Sequence, residues 1–226
     1  MPRYRIQFSK EGPARYWSHL DLVRTFERAF RRAGLPVLYT QGFNPHPRFS
    51  FAAPLPVGMA GEKEYLDLEL EQNRSPEEIF CRLRGVFPAG LRIKAVRLVN
   101  DGAPSLMATV EKAVYRVEAE LSAEVSDAAL QEGIRSLLAK AAVEIPEKKA
   151  KAPQTRNIRP GICRLEGRTA ARKVFLEMEL QTGSRGHVRP EEALAALAKE
   201  SGLPVRGETA VIVRTALFFK EGKGSG

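Results

Sequence analysis

The chain is poor in the residues that build redox and metal centres. Its 226 residues include two cysteines, Cys81 and Cys163, three histidines and a single tryptophan. The cysteines lie far apart and neither has a partner at C-x-x-C spacing, which argues against a zinc ribbon or a disulfide framework. An iron–sulfur cluster held by three closely spaced thiolates is excluded on the same ground. His19, His46 and His187 are not arranged as a helical metal pair, so neither a metal nor a cofactor is expected in this chain. A Gly-x-x-x-x-Gly-Lys-Ser/Thr loop is missing, as is a Gly-x-Gly-x-x-Gly turn between strand and helix, and nucleotide hydrolysis and dinucleotide redox chemistry therefore lack support. No apolar run approaches membrane-spanning length, and the N-terminus enters an alternating pattern without an apolar signal core. A cytoplasmic protein with no membrane partner is the expectation.

What the chain does have is positive charge, unevenly placed. The formal net charge of +9 resolves into +6 over residues 1–60, −4 over 61–146, +7 over 147–173 and zero over 174–226. Two basic blocks of this kind suit a field that attracts phosphates, provided the fold brings them together.

Periodicity supplies the framework. Arg3 to Ser9 alternates like a strand with Tyr4 and Ile6 on one face. Ser18 has the position of an N-cap with Asp21 three residues on, and the helix it opens runs to about Ala33, where Gly34 and Pro36 stop it. Val23, Phe26, Ala29, Phe30 and Ala33 share one side of that helix, and Arg24, Arg28, Arg31 and Arg32 the other. Strands are expected at Phe49–Ala53, Glu64–Leu70 and Leu91–Val99, the last with Leu91, Ile93, Ala95 and Leu98 inward. A second helix starts at Ser75. The order β-α-β-β-α-β then repeats more loosely, with strands at 113–121, 143–146, 173–180 and 209–219 and helices from Ser126 and Arg189. The pattern predicts an α+β protein of two tandem ferredoxin-like domains with antiparallel sheets, the second less regular. The first covers 1–100 and carries the His46 loop. The second covers 106–220 and carries a basic insertion at 147–173, with a hinge at Asn100–Ser105 and a frayed tail at 222–226.

Tyr39-Thr-Gln-Gly-Phe-Asn-Pro-His-Pro-Arg-Phe-Ser-Phe51 is too polar and too broken for a core segment. A loop with aromatics, an imidazole and a guanidinium on a basic scaffold suits an anionic, stackable ligand, and RNA fits that description. In this reading Phe43 or Phe49 stacks on an unpaired base, Gln41 and Asn44 read base edges, and His46 with Arg48 holds the adjoining phosphate. Alternation places one of Phe49 and Phe51 in the core. Arg15, Arg24, Arg28 and Arg31 extend the surface on the first block. The second block reads as a long loop or hairpin, and its Lys148, Lys149, Arg156 and Arg159 extend the same surface. Gly183 to His187 is a Gly-rich turn before a helix, read as a plain strand-to-helix connection or a phosphate nest with Arg185.

Ser18-His-Leu-Asp-Leu, the helix Phe26-Glu-Arg-Ala-Phe-Arg-Arg-Ala-Gly-Leu-Pro36, Gln41-Gly-Phe-Asn-Pro-His-Pro47 and Pro54-Leu-Pro-Val-Gly58 together resemble the bacterial radical-SAM-linked protein family, whose members lie beside or fused behind radical SAM proteins. Asn157-Ile-Arg-Pro160 extends the resemblance towards the C-terminus. There the family pattern commonly has an acidic residue before Ile-Arg-Pro, so Asn157 is a departure that weakens a catalytic carboxylate at that point. The resemblance implies a radical SAM partner that would hold any cluster, and it implies no reaction for this chain.

The favoured reading is therefore a non-catalytic RNA-binding accessory protein that presents transfer or ribosomal RNA to a radical SAM partner. The alternatives are a stand-alone metal-independent RNA-processing enzyme and a protein-binding adaptor of the same partner. The enzyme would use His46 or His19, Tyr16 and Arg48 as base, donor and transition-state cation. Tandem α+β arrangements occur in CRISPR-repeat endonucleases and in pseudouridine synthases, but the uridine isomerase chemistry needs a nucleophilic aspartate, and Asp21 reads as a cap.

Overall fold

The computed structural model describes residues 1–147, 154–183 and 186–220. The chain is an α+β protein with five α-helices and a large mixed eight-stranded sheet among these residues. It divides into two compact units, Met1–Val110 joined by the chain end from Phe219, and Glu111–Phe218. The division falls after Val110 rather than in the turn-forming stretch Asn100–Ser105, and the end of the last strand returns to the first unit.

The first unit runs β1 (Arg3–Lys10), α1 (His19–Arg32), β2 (Phe49–Phe51), β3 (Ala60–Glu69), α2 (Pro76–Leu83), β4 (Leu91–Val99) and the short α3 (Leu106–Thr109). β1 lies between β4 and β3, and β2 pairs with β3, all antiparallel. Tyr4, Ile6 and Phe8 of β1, Leu66, Leu68 and Leu70 of β3 and Leu91 and Ile93 of β4 meet Leu22, Phe26 and Phe30 of α1 and Ile79 and Leu83 of α2 in one core. Burial of these side chains drives the two helices onto one face of the sheet. Leu22, which the expected apolar side did not include, is buried, and Val23, which it did, packs at the core's margin. On β4 the expected inward set breaks after Ile93, because a bulge opposite Gln7 and Phe8 shifts the register by one residue. A one-residue slip exchanges the faces of a strand, so Ala95, opposite Gln7, turns outward; Leu98, opposite Tyr4, is exposed although the shift places it on the inward face.

The second unit contains β5 (Val110–Leu121), α4 (Asp127–Ala139), β6 (Glu144–Pro146), β7 (Thr155–Asn157), β8 (Ile162–Ala170), β9 (Lys173–Gln181), α5 (Pro190–Ser201) and β10 (Val205–Phe219). The strand order is β10-β5-β9-β8. The pairings β5–β9 and β8–β9 are antiparallel, so the expected antiparallel pattern holds for these pairs and not for the mixed sheet as a whole. Residues 143–146 do not form the second strand of this sheet, because β6 pairs only with β7 in a separate two-stranded ribbon. The missing strand is β8, inside the basic segment read as a loop or hairpin. Its inward residues Ile162 and Leu165 lose strict alternation at a bulge between Ile162 and Arg164. An edge strand with two apolar anchors and a shifted register leaves too weak a period-two signal to read from sequence. The tail at 222–226 lies outside the described residues.

Candidate nucleic-acid interface

Helix α1 starts where Ser18 caps it. The Ser18 hydroxyl accepts the Asp21 amide at 3.2 Å, and the Asp21 carboxylate accepts the Ser18 hydroxyl at 2.7 Å and its amide at 3.2 Å. These bonds from Ser18 hold the Asp21 carboxyl below its ordinary value and commit it to the cap. With Leu22, Phe26, Ala29 and Phe30 turned to the core, Arg24, Arg28, Arg31 and Arg32 are exposed. At 1.5 Å per residue Arg24, Arg28 and Arg31 follow one another at roughly 6 and 4.5 Å along the axis. None of the four arginines makes a salt bridge among the described residues.

The loop after α1 has a stem and a tip. In the stem the Leu38 amide donates to the Glu69 carbonyl at 3.0 Å, the Arg48 amide to Leu38 at 2.7 Å and the Glu69 amide to Arg48 at 2.9 Å. Tyr39 bridges Pro47, the Thr40 amide donates to His46 at 2.9 Å, and the Thr40 hydroxyl accepts the His46 amide at 3.0 Å. The Arg48 guanidinium pairs with Glu69 at 3.1 Å. In the tip, Gln41, Phe43, Asn44 and His46 are exposed, and their side chains make no hydrogen bond, ion pair or ring contact among the described residues. Amide side chains in tight loops ordinarily bond their own backbone. Here Thr40 and the main chain hold the turn, which leaves the tip side chains unspent.

Of the two expected stacking rings, Phe43 is the one available. Phe49 packs edge-on to Phe30 at 5.3 Å and to Phe51 at 5.8 Å, and Phe51 is buried against Phe26. Arg15 lies over the Tyr16 ring at 4.6 Å and donates to its hydroxyl. His19 opens α1 with its ring edge-on to Phe51 at 5.5 Å. No hydrogen bond or ring contact joins His46, His19 and Tyr16 among the described residues, and Arg48 is engaged with Glu69.

The second basic block behaves differently. Arg156 donates to the His187 carbonyl at 2.9 Å and pairs with Glu192 at 2.5 Å and Glu147 at 3.3 Å. Arg159 donates to the Leu138 carbonyl, at 2.6 Å through Nη2, and to the Ile162 carbonyl at 3.1 Å. It thereby satisfies a C-terminal carbonyl of α4 and ties that helix to β8. Between them the Asn157 Oδ1 accepts the Val143 amide at 2.9 Å and the Arg159 amide at 3.0 Å. An aspartate has the oxygen to accept the same two bonds. Lys148, Lys149 and Arg185 lie outside the described residues.

Sequence reading missed two buried ionisable residues in the first unit. Lys10 is 1% and Glu64 2% exposed, and both line a narrow pocket with His19, Leu22, Phe51 and Leu55. The Lys10 ammonium donates to the Trp17 carbonyl at 2.9 Å, and the Glu64 carboxylate lies where a Cβ on Gly61 would be, 2.5 Å from it. A side chain at residue 61 would require the Glu64 side chain to move. A Gly-x-x-Glu spacing in a strand carries no such signal by itself. In the second unit the His187 ring nitrogen Nδ1 lies 2.9 Å from the Thr182 hydroxyl, and burial of the ring, then the Arg189 charge, push the imidazole below its ordinary value. Among the described residues no cluster of three or more His, Cys, Asp or Glu is placed to hold a metal, and Cys81 and Cys163 are free and exposed. Among the described residues no helix is long and apolar enough to cross a membrane.

Residues 3–190 match the family described as "Uncharacterized protein conserved in bacteria (DUF2344)". The chain belongs to that family. No curated protein matches it. Among solved structures it is similar to a chain of "Crystal Structure of a Cbf5-Nop10-Gar1 Complex", with a TM-score of 0.52 and 14% identity over 97% of this chain. This DUF2344 protein spans 50% of that chain's length, and at such identity the likeness concerns the fold alone.

Proposed function

We propose that the protein is an RNA-binding accessory subunit that presents transfer or ribosomal RNA to a radical SAM partner for modification, and that it works in the cytoplasm. The carrying observation is the row of unpaired arginines on α1 preceding a loop whose tip side chains are all unspent. Guanidiniums without a salt bridge, at helical spacing, neutralise phosphates, and exposed aromatic and amide groups on a braced loop supply stacking and base-edge contacts. We read each unit as ferredoxin-like, on the order β4-β1-β3 with β2 beside β3 in the first and β10-β5-β9-β8 in the second. The structural neighbour belongs to a complex of several proteins, which fits a chain that acts as a subunit.

The test is RNA binding across a salt series, by filter retention or fluorescence anisotropy. Arg28→Glu with Arg31→Glu is expected to weaken binding by roughly ten- to a hundredfold and to flatten the salt slope, because each lost phosphate contact retains its condensed counterions. Unchanged affinity and slope reject the interface.

A further inference from the structure

We propose that the tip of the 39–47 loop captures a single unpaired base, so that the RNA recognised presents one unpaired nucleotide beside a double-helical stretch. This deepens the RNA-binding reading above and depends on it.

Proteins that track long single strands stack successive bases on several aromatics. The tip of the loop offers one such ring: Phe43 is fully exposed, Tyr39 stands in the stem and is 42% exposed, Tyr16 is covered on one face by Arg15, and Phe49 and Phe51 are packed into the core's edge. One free ring suits one base. The ring stands on a braced stem, held by the Thr40–His46 bonds and by the main-chain bonds that join Leu38 and Arg48 to Glu69, so little ordering is lost on binding. Gln41 and Asn44 flank Phe43 with unspent amides that match the donor–acceptor edge of a base. In a paired A-form helix that edge is out of reach in the deep, narrow major groove, and it becomes accessible when the nucleotide is unpaired. The arginines of α1, by contrast, are spaced on a rigid rod, which suits the ordered backbone of a helical segment rather than a second loose strand.

Two RNA hairpins with the same stem are titrated against the full chain at fixed salt, one fully paired and one carrying a single bulged nucleotide, with each of the four bases tried in the bulge. The wild type is expected to bind a bulged hairpin roughly 5- to 150-fold tighter than the paired one, the range of one stacked base. Phe43→Ala should bind both hairpins alike, at the wild-type affinity for the paired one, and Phe43→Trp should restore the preference. Arg28→Glu with Arg31→Glu should weaken both hairpins and keep their ratio. Equal binding of the two hairpins by the wild type, or a preference that survives in Phe43→Ala, overturns base capture while leaving RNA binding standing; the free tip is then a contact for a protein. Absence of salt-dependent binding to either hairpin removes the RNA reading itself, and base capture with it.

Discussion

The arginines of α1 and those of the second basic block are alike in sequence and opposite in structure. Arg24, Arg28, Arg31 and Arg32 have no salt-bridge partner among the described residues, whereas Arg156 and Arg159 spend their guanidiniums on Glu147, Glu192 and the carbonyls of Leu138, Ile162 and His187. The difference is one of context. An amphipathic helix must turn its polar face to water, so its arginines stay free. A segment whose strands are short has little apolar surface to hold it, and here charge-assisted hydrogen bonds take that role. A count of positive charge therefore overstates the ligand-binding charge of residues 147–173 as far as they are described.

The largest expected effect separates the blocks by readout. Reversal of Arg28 and Arg31 should lower RNA affinity by roughly ten- to a hundredfold while the melting temperature stays near wild type, because exposed polar positions contribute little to stability. If that variant instead melts early, the row has an internal role and the contrast between the blocks fails. Arg159→Ala should do the reverse. It strands the carbonyls of Leu138 and Ile162 and should cost about 2 to 3 kcal/mol, or roughly 5 to 10 °C in Tm, with RNA affinity of the folded protein little changed. Calorimetry beside a binding titration checks both halves of this statement.

A smaller effect sharpens the comparison at Asn157. Replacement by alanine removes an acceptor used by two amides and should cost about 1 to 2 kcal/mol, whereas Asn157→Asp should melt like the wild type. Equal destabilisation by both substitutions would show that the amide nitrogen matters and that an acidic residue is not equivalent here.

The smallest effect is on pH. The His187 imidazole is held below its ordinary value of 6.5. Between the folded and unfolded values the unfolded chain binds more protons, so stability rises with pH across that window. The contribution is fully present above 6.5 and is lost as pH falls from there through the folded value. Neighbouring Arg189, Arg156, Arg214 and Glu192 set that field. In His187→Gln, which retains a partner for Thr182, the slope of Tm against pH below 6.5 should flatten. An unchanged slope would assign the dependence to other groups.

Much of the first unit was legible. The apolar stripe of α1, the Ser18 cap and the alternation of β1 and β3 state local rules that neighbouring residues can satisfy by themselves. The second unit was legible only where its strands alternate. β8 hid inside the basic segment because an edge strand interrupted by a bulge carries little period-two signal, and the 143–146 stretch was misplaced because a β-rich triplet does not say which strand it pairs with. At the candidate interface, the exposed arginines of α1 follow from helical periodicity, and the availability of Phe43 rather than Phe49 does not.

The sequence by itself determined the α+β class, the elements with strong periodicity and the location of the two positive blocks, because hydrophobic spacing and charge are local properties. Tertiary structure decided which charges remain free. It set Arg48 against Glu69, Arg156 against Glu147 and Glu192, and Lys10 and Glu64 into one pocket beside a glycine that leaves room for the carboxylate. Whether a guanidinium is a ligand or a brace depends on acceptors that lie as far as 100 residues away in the chain. Only the packed backbone brings such groups within hydrogen-bonding distance.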